Sequence, residues 1–141
     1  AMERAEKSEQ SGVLDGVAKG LPGLLRAFKL QKRAARVGYD WPDVEGAFAK
    51  LTEEYGELED ELEKADLDEE KLIDELGDVL FSTVNVARKL NIDPEAALRQ
   101  GNLKFETRFG YIEEALEKQG KSFDDVSLSD MEVLWQEAKK K

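Results

Sequence analysis

The sequence contains no cysteine and no histidine, and these two absences exclude much of the usual enzyme chemistry. Without cysteine there is no disulfide, thiol nucleophile, iron–sulfur cluster or cysteine-bound zinc. Without histidine, the most common general base and the most common transition-metal ligand are both missing. A bound metal would therefore be held by carboxylate, carbonyl and water oxygens, which favours Mg²⁺, Mn²⁺ or Ca²⁺.

Basic residues and long apolar runs are also scarce. The 141 residues include 21 Lys plus Arg against 32 Asp plus Glu, a formal net charge of −11. This balance argues against duplex nucleic acid as a partner, because such binding depends on cations that neutralise phosphates. No apolar run approaches the roughly 20 residues that span a membrane, and residues 1–10 are polar without a signal-peptide pattern. We therefore expect a cytoplasmic protein that does not enter membranes.

Apolar residues recur with a period near 3.6, which predicts an all-α fold, a helical bundle. The predicted helices cover residues 21–37, 43–65, 68–91, 94–118 and 128–139. Only three prolines occur (Pro22, Pro42 and Pro94), and each lies at the predicted start of a helix. Residues 1–20 are polar and punctuated by glycine, which predicts a flexible linker or arm before an all-α domain at 21–141.

Acidic residues are concentrated between positions 53 and 78, where fourteen Asp and Glu are offset only by Lys64 and Lys71. Most acidic runs are solvent-exposed helix faces. On a helical wheel of the second helix, however, Glu54, Glu57 and Glu61 border the apolar stripe, whereas Glu53 points away. We predict that this stripe is buried; it consists of Leu51, Tyr55, Leu58, Leu62 and Ala65.

The third helix is apolar over roughly 160° of its circumference, which predicts cover on most sides. Its remaining polar window, which contains Glu75 and Asp78, is then expected to face an internal cleft. If the second and third helices pack antiparallel, the pairs Glu54/Glu57 and Glu75/Asp78, each at i, i+3 spacing, converge. Four adjacent carboxylates repel one another unless a divalent cation binds them. The alternative is an ion-pair network with Lys50, Lys71 or Arg88.

The fourth helix places Lys104 and Arg108 together at the edge of its predicted apolar stripe of Leu98, Phe105, Phe109, Ile112 and Leu116. Two cations at i, i+4 suit a phosphate chain, although pairing with neighbouring Glu is the alternative. Trp41 and Trp135 are candidates for stacking on a base, or are core residues. The sequence has no glycine-rich phosphate loop, which excludes P-loop and Rossmann sites.

Four segments together resemble the MazG nucleoside triphosphate pyrophosphohydrolases: RAFKLQKRAARVGYDW, EEYGELEDEL, DELGDVLFSTVNVARKL and NLKFETRF. The resemblance covers about residues 21–138 and is to the C-terminal MazG domain of two-domain bacterial members. Residues 3–20 look like the linker that precedes that domain, and a naturally single-domain member is the alternative. The resemblance implies an all-α MazG-type fold that forms a homodimer through a four-helix bundle.

The resemblance also implies which residues act. The implied Mg²⁺ ligands, with Mn²⁺ as a possible substitute, are Glu54, Glu57, Glu75 and Asp78. The implied phosphate contacts are Lys50, Lys71, Lys104 and Arg108, and the implied base contact is Trp135. Glu61, on the same side as the ligands, is a candidate for supporting water activation.

The resulting hypothesis is Mg²⁺-dependent hydrolysis of (deoxy)nucleoside triphosphates to monophosphate and pyrophosphate, with nucleotide-pool house-cleaning as the role. The ions would activate a water that attacks the α-phosphate and would neutralise the charge that develops there. The alternative is a non-catalytic helical dimerisation or regulatory module whose acidic cleft binds divalent ions or a basic partner.

Overall fold

The computed structural model describes residues 12–141, and all the regular secondary structure in this part of the chain is helical. It contains a 3₁₀ turn at Phe123–Asp125, no β-strand, and five α-helices: α1 (Gly23–Arg36), α2 (Val44–Leu62), α3 (Glu69–Lys89), α4 (Pro94–Lys118) and α5 (Leu128–Lys139). The predicted all-α class is confirmed, and every predicted helix end lies within three residues of the observed one. None of these described helices is long and apolar enough to cross a membrane.

Side-chain caps fix where the helices begin. Asp43 and Ser127 each accept a hydrogen bond from the backbone N–H three residues later, at 2.9 and 3.1 Å. Asp68 accepts from the N–H groups of Glu70 and Lys71 at the start of α3. Each cap satisfies a donor that has no partner within the helix, a stabilisation of about 1 kcal/mol. The Asp68 cap therefore fixes the point at which α3 begins as a helix separate from α2.

The chain divides into a first compact unit that ends at Ala96 and a second at Ala97–Lys141. In the first unit, α2 packs along α3, and α1 packs against α3. Only residues 63–68 connect α2 to α3, so the two helices form an antiparallel hairpin. The buried apolar side chains of this unit include Ala47 and Leu51 on α2 and Val79 and Val84 on α3.

The predicted burial of the α2 stripe is wrong in part. Leu51 is buried and Leu58 half-buried, but Tyr55 and Leu62 are 50% and 55% exposed, and Ala65 lies exposed beyond the helix. The helices are apolar over a wider arc than one neighbour covers, and the buried residues of α2 are Ala47, Leu51 and Glu54. The outer apolar stripes that remain exposed are Phe48, Tyr55 and Leu62 on α2 and Ile73, Leu76 and Leu80 on α3.

The second unit is built from most of α4, the 3₁₀ turn and α5. Ile112, Leu116 and Ala138 are buried in it. Its aromatic rings form a stack in which Phe109 lies between Phe105 and Phe123, with centroid distances of 5.8 and 5.5 Å. The predicted stripe of α4 is wrong at Leu98 and Phe105, which are 50% and 57% exposed. The last helix has 12 residues and α4 has 25, so it covers only part of α4, and Trp135 of α5 covers Phe105 on one side only.

The predicted arm at residues 1–20 is described only from residue 12, and residues 1–11 lie outside the described part. Residues 13–16, 19 and 20 form turns, and Val17 is buried. The carbonyl of Asp15 accepts a hydrogen bond from Arg33 of α1 at 2.8 Å. The division into an arm at 1–20 and a domain at 21–141 stays a prediction.

Candidate functional site

Three carboxylates of the α2–α3 hairpin converge on one point. One oxygen from each of Glu54, Glu57 and Glu75 lies within 4.8 Å of the other two. Glu54 and Glu57 share a face of α2 because they are three residues apart, and the antiparallel α3 brings Glu75 opposite them. Glu54 is only 6% exposed, Glu75 is half-buried and Glu57 is exposed. We call these three residues the acidic cluster.

Asp78, the fourth predicted ligand, lies outside the acidic cluster but close to it. It lines the same cavity as Glu54 and Lys50. Desolvation, followed by the charge of Glu54, raises the pKa of Asp78 above its usual value. The structure thus places Asp78 beside Glu54, one helical turn along α3 from Glu75.

The alternative ion-pair network forms only in part. Lys50 Nζ lies 3.1 Å from Oε1 of Glu54 and 3.5 Å from the exposed Glu53. Among residues 12–141, Lys71 forms no ion pair, and Arg88 pairs with Asp40 instead. Within that same part of the chain, the Oε2 atoms of Glu54 and Glu75 are buried without a hydrogen-bond partner. Lys50 alone therefore neutralises only part of the negative charge of the acidic cluster.

This arrangement fits a divalent cation. A hydrogen bond shared with Glu54, followed by the charge of that carboxylate, raises the pKa of Glu57 to about 7. Repulsion among close carboxylates produces such a shift, and a hard cation with oxygen ligands removes it. Buried carboxylate oxygens without partners are costly for a protein to keep, so Glu54, Glu57, Glu75 and Asp78 are suited to hold an ion.

Glu61 continues the same face of α2 one turn beyond Glu57. Its side chain is 13% exposed, and its Oε1 lies 2.8 Å from Nζ of Lys64. Its Oε2 is buried and has no hydrogen-bond partner among the described residues. Glu61 is therefore held in place by Lys64 outside the acidic cluster, with one oxygen still available.

In the second unit, Lys104 and Arg108 line one concave site of about 410 Å³. Lys139 and Lys141 line it too, so four cations surround the same space. The guanidinium carbon of Arg108 lies 5.5 Å from the ring centroid of Trp135, which supports it by a cation–π contact. Sequence reasoning missed the two C-terminal lysines, and their only signal was the closing run of three lysines.

Sequence reasoning predicted a cleft beside the polar window of α3 but missed that α1 and the segment 38–41 complete it, and together they form a cavity of about 690 Å³ in the first unit. Residues of α1, of the segment 38–41, of α2 and of α3 line it, and they include Gln31, Trp41, Asn85 and Arg88. The polar window predicted on α3 does face this space, since Asp78, Ser82 and Asn85 all line it. The cavity therefore opens onto carboxylates of the hairpin.

An ion pair anchors the segment 38–41 to the end of α3. Asp40 accepts hydrogen bonds from both terminal nitrogens of Arg88 and from Lys89. The Arg88 side chain is 10% exposed and that of Asp40 is 23% exposed. The hydrogen bonds from Arg88 hold the pKa of Asp40 well below its usual range. This contact fixes the position of the neighbouring Trp41.

Asp40→Asn is expected to lower the free energy of unfolding at pH 7 by about 1–2 kcal/mol, a range reduced for partial exposure. Because the folded pKa of Asp40 is lowered, its stabilisation is present above the unfolded pKa of about 4 and is lost as the pH falls towards the folded pKa. Urea denaturation should therefore show a smaller difference in the free energy of unfolding between wild type and Asp40→Asn at pH 3 than at pH 7. Asp60→Asn, on the exposed side of α2, is the control. An equal cost at both pH values would contradict the ion-pair explanation.

Comparisons with known proteins agree with this geometry. Residues 43–111, which include the whole α2–α3 hairpin, match the MazG nucleotide pyrophosphohydrolase domain. This match confirms the resemblance of the chain to the MazG family.

Three relatives are similar to the chain over nearly all of its length. The nucleoside triphosphate pyrophosphohydrolase of Escherichia coli (strain K12) is 43% identical over 138 residues, 98% of this chain and 52% of that protein. The nucleoside triphosphate pyrophosphohydrolase/pyrophosphatase MazG of Thermotoga maritima is 38% identical over 95% of this chain and 49% of that protein. The uncharacterized protein YabN of Bacillus subtilis is 48% identical over 98% of this chain and 28% of that protein. The chain spans about half the length of the first two.

Proposed function

We propose that this chain hydrolyses ribo- or deoxynucleoside triphosphates to the monophosphate and pyrophosphate. The observation that carries the proposal is the acidic cluster, with buried oxygens that have no partner among the described residues. Two relatives named for this activity support it. We further propose that the role is nucleotide-pool house-cleaning in the cytoplasm.

The acidic cluster together with Asp78 would hold Mg²⁺, with Mn²⁺ as a substitute. When bound, the ion would supply positive charge opposite the phosphate oxygens and would activate a water for attack on the α-phosphate. Lys50 keeps one oxygen of Glu54 in place at 3.1 Å. The free buried oxygen of Glu61 would orient the attacking water as a positioning group.

Phosphate binding is assigned to lysine and arginine side chains. Arg108 presents a planar fork and Lys104 a point charge, both suited to phosphate oxygens. Lys50 and Lys71 of the first unit are the other phosphate contacts that the resemblance implies, and we propose them on that ground. Trp135 supports Arg108 in the structure, and its contact with the base stays a proposal drawn from the resemblance.

We propose a homodimer in which the outer apolar stripes of two copies pack together. The residues of the stripes recur at spacings of three, four and seven, so each stripe follows one helix face. Contiguous apolar faces of this kind mark interaction surfaces. Two α2–α3 hairpins packed through these stripes make a four-helix bundle.

The direct test is a panel of nucleoside triphosphates and their deoxy forms, assayed for pyrophosphate and for orthophosphate. We expect pyrophosphate from at least one substrate with Mg²⁺ and none with excess EDTA. Glu53→Gln is a matched control, because Glu53 is 59% exposed and is not one of the three carboxylates of the acidic cluster, and it should remain active. Orthophosphate as the product, or metal binding without turnover, would overturn the proposal; the second result would favour the non-catalytic module.

A further inference from the structure

The amide of Gln31 in α1 is an unusual feature of the 690 Å³ cavity that it lines. Gln31 is only 5% exposed, and its Nε2 donates a hydrogen bond to the carbonyl of Phe81 at 2.9 Å. This donation fixes the orientation of the amide, so Oε1 is the free end. Oε1 is buried and has no hydrogen-bond partner among residues 12–141. A buried acceptor left unpaired costs free energy unless a ligand supplies the donor.

Trp41 forms a rigid wall of the same cavity. The ion pair of Asp40 with Arg88 anchors the segment that carries it. On its other side the ring packs against the first turn of α2, where a Cβ at Gly46 would lie 3.3 Å from Cε3 of Trp41. The absent Cβ therefore lets the indole approach the helix closely. A fixed indole and an unpaired acceptor that line one cavity are the combination that recognises a flat heterocycle with an N–H donor.

The cavity extends from the proposed metal ligand Asp78 over a distance that suits a nucleotide. Along α3, its lining runs from Asp78 through Ser82 to Asn85. At 1.5 Å per residue, Ser82 and Asn85 are about 6 and about 10 Å from Asp78 along the helix. Asn85 uses its Oδ1 to accept from Arg88 at 2.9 Å, which leaves its amide NH₂ available as a donor. The interval leaves room for a sugar between phosphates at the carboxylates and a base beside Gln31 and Asn85.

We propose that this cavity is the nucleobase pocket of the enzyme, in which Trp41 stacks on the base and Gln31 Oε1 accepts a hydrogen bond from an N–H on its edge. The inference rests on the proposed function and extends it to substrate recognition. It differs from the resemblance, which assigns the base contact to Trp135. In the second unit, Trp135 packs against Phe105 at 5.7 Å and supports Arg108, so its ring already has neighbours.

The test compares the wild type with Gln31→Met, a side chain of similar length that has no hydrogen-bonding amide. Each protein is assayed with the best nucleoside triphosphate and with ribose 5-triphosphate, which lacks a base. We expect kcat/KM for the nucleotide to fall about 10- to 100-fold through KM, since a base donor loses its partner. Hydrolysis of ribose 5-triphosphate should be unchanged. Gln119→Met, exposed just after α4, is the control and should change neither substrate.

A second measurement needs neither metal nor turnover. Calorimetric titration in EDTA with a nucleoside monophosphate and with ribose 5-phosphate should show tighter binding of the nucleotide to the wild type, and Gln31→Met should abolish that preference. If Gln31→Met does not fold, Trp41→Ala replaces it, because Trp41 is 37% exposed, and it should abolish the same preference. If kcat/KM fell equally for the nucleotide and for ribose 5-triphosphate, or fell for neither, the assignment of the cavity as the base pocket would be overturned. The proposed function would be unaffected by either result. Absence of pyrophosphate release from every substrate by the wild type would instead overturn the proposed function.

Discussion

Glu57→Gln is expected to reduce pyrophosphate release at least about 100-fold while the protein stays folded. Glu57 contributes one of the three oxygens that lie within 4.8 Å of one another, and an amide is a much weaker ligand for Mg²⁺ than a carboxylate. The side chain is exposed and keeps its shape, so the substitution leaves the core intact. Pyrophosphate release at saturating Mg²⁺ and helical circular dichroism measure the two expectations.

The same variant should have a different pH dependence of stability without metal. The pKa of Glu57 is raised to about 7 in the folded protein from about 4.3 in the unfolded chain. The folded state therefore binds the extra proton, and wild-type stability should fall as the pH rises from about 4 to about 7. Glu57→Gln cannot ionise, so its melting temperature in EDTA should decline less over this range.

The effect of Mg²⁺ on the melting temperature should also differ between the wild type and Glu57→Gln. Mg²⁺ at pH 7.5 should raise the wild-type melting temperature by several degrees, because a ligand that binds only the folded state stabilises it. The rise should be much smaller in Glu57→Gln and unchanged in the control Glu53→Gln. Full activity of Glu57→Gln, or an equal rise with Mg²⁺ in both variants, would exclude the acidic cluster as the metal site.

The helices were predictable because local signals determine their ends. Asp43 and Asp68 each precede a periodic apolar segment, and both accept backbone hydrogen bonds as helix caps. Pro94 begins α4, where its missing N–H costs nothing. These interactions lie within three residues of one another along the chain. The position at which each helix begins is therefore set locally and can be predicted without knowing how the helices pack.

The acidic cluster was predictable for a similar reason. Spacing of three residues places Glu54 with Glu57 on any helix, and a short connection makes the next helix antiparallel. Periodicity alone was a poorer guide to burial. It placed Tyr55 in the buried stripe of α2 and Glu54 only at the border of that stripe, but the structure leaves Tyr55 50% exposed and Glu54 6% exposed, because the position of α3 decides which side of the stripe is covered.

Gln31 shows what sequence reasoning could not reach. It lies in a basic helix, and its burial depends on contact with the carbonyl of Phe81, fifty residues away. The ion pair of Asp40 with Arg88 spans 48 residues. Long-range contacts of this kind follow from tertiary packing and leave no periodic pattern. The part of the cavity that α1 and the segment 38–41 line was therefore missed, although the cleft beside the polar window of α3 had been predicted.

Leu80→Lys is expected to convert the proposed dimer into a monomer. Leu80 is 51% exposed in the chain and lies on the outer apolar stripe of α3. In a symmetric dimer, the substitution would place a lysine in the interface twice, and a buried ammonium group without a partner is strongly unfavourable. The dissociation constant should rise at least about 100-fold. Sedimentation equilibrium should then give a mass near 15.9 kDa rather than twice that value.

Leu128→Lys is the matched control for this change. Leu128 is 79% exposed at the start of α5, outside both outer apolar stripes, so its substitution adds the same charge without affecting the proposed interface. The control should remain dimeric, and both variants should keep their helical content because neither side chain belongs to the core of the chain. A Leu80→Lys protein that stays dimeric would show that the outer apolar stripes are not the interface. A monomeric wild type at micromolar concentration would exclude the dimer itself.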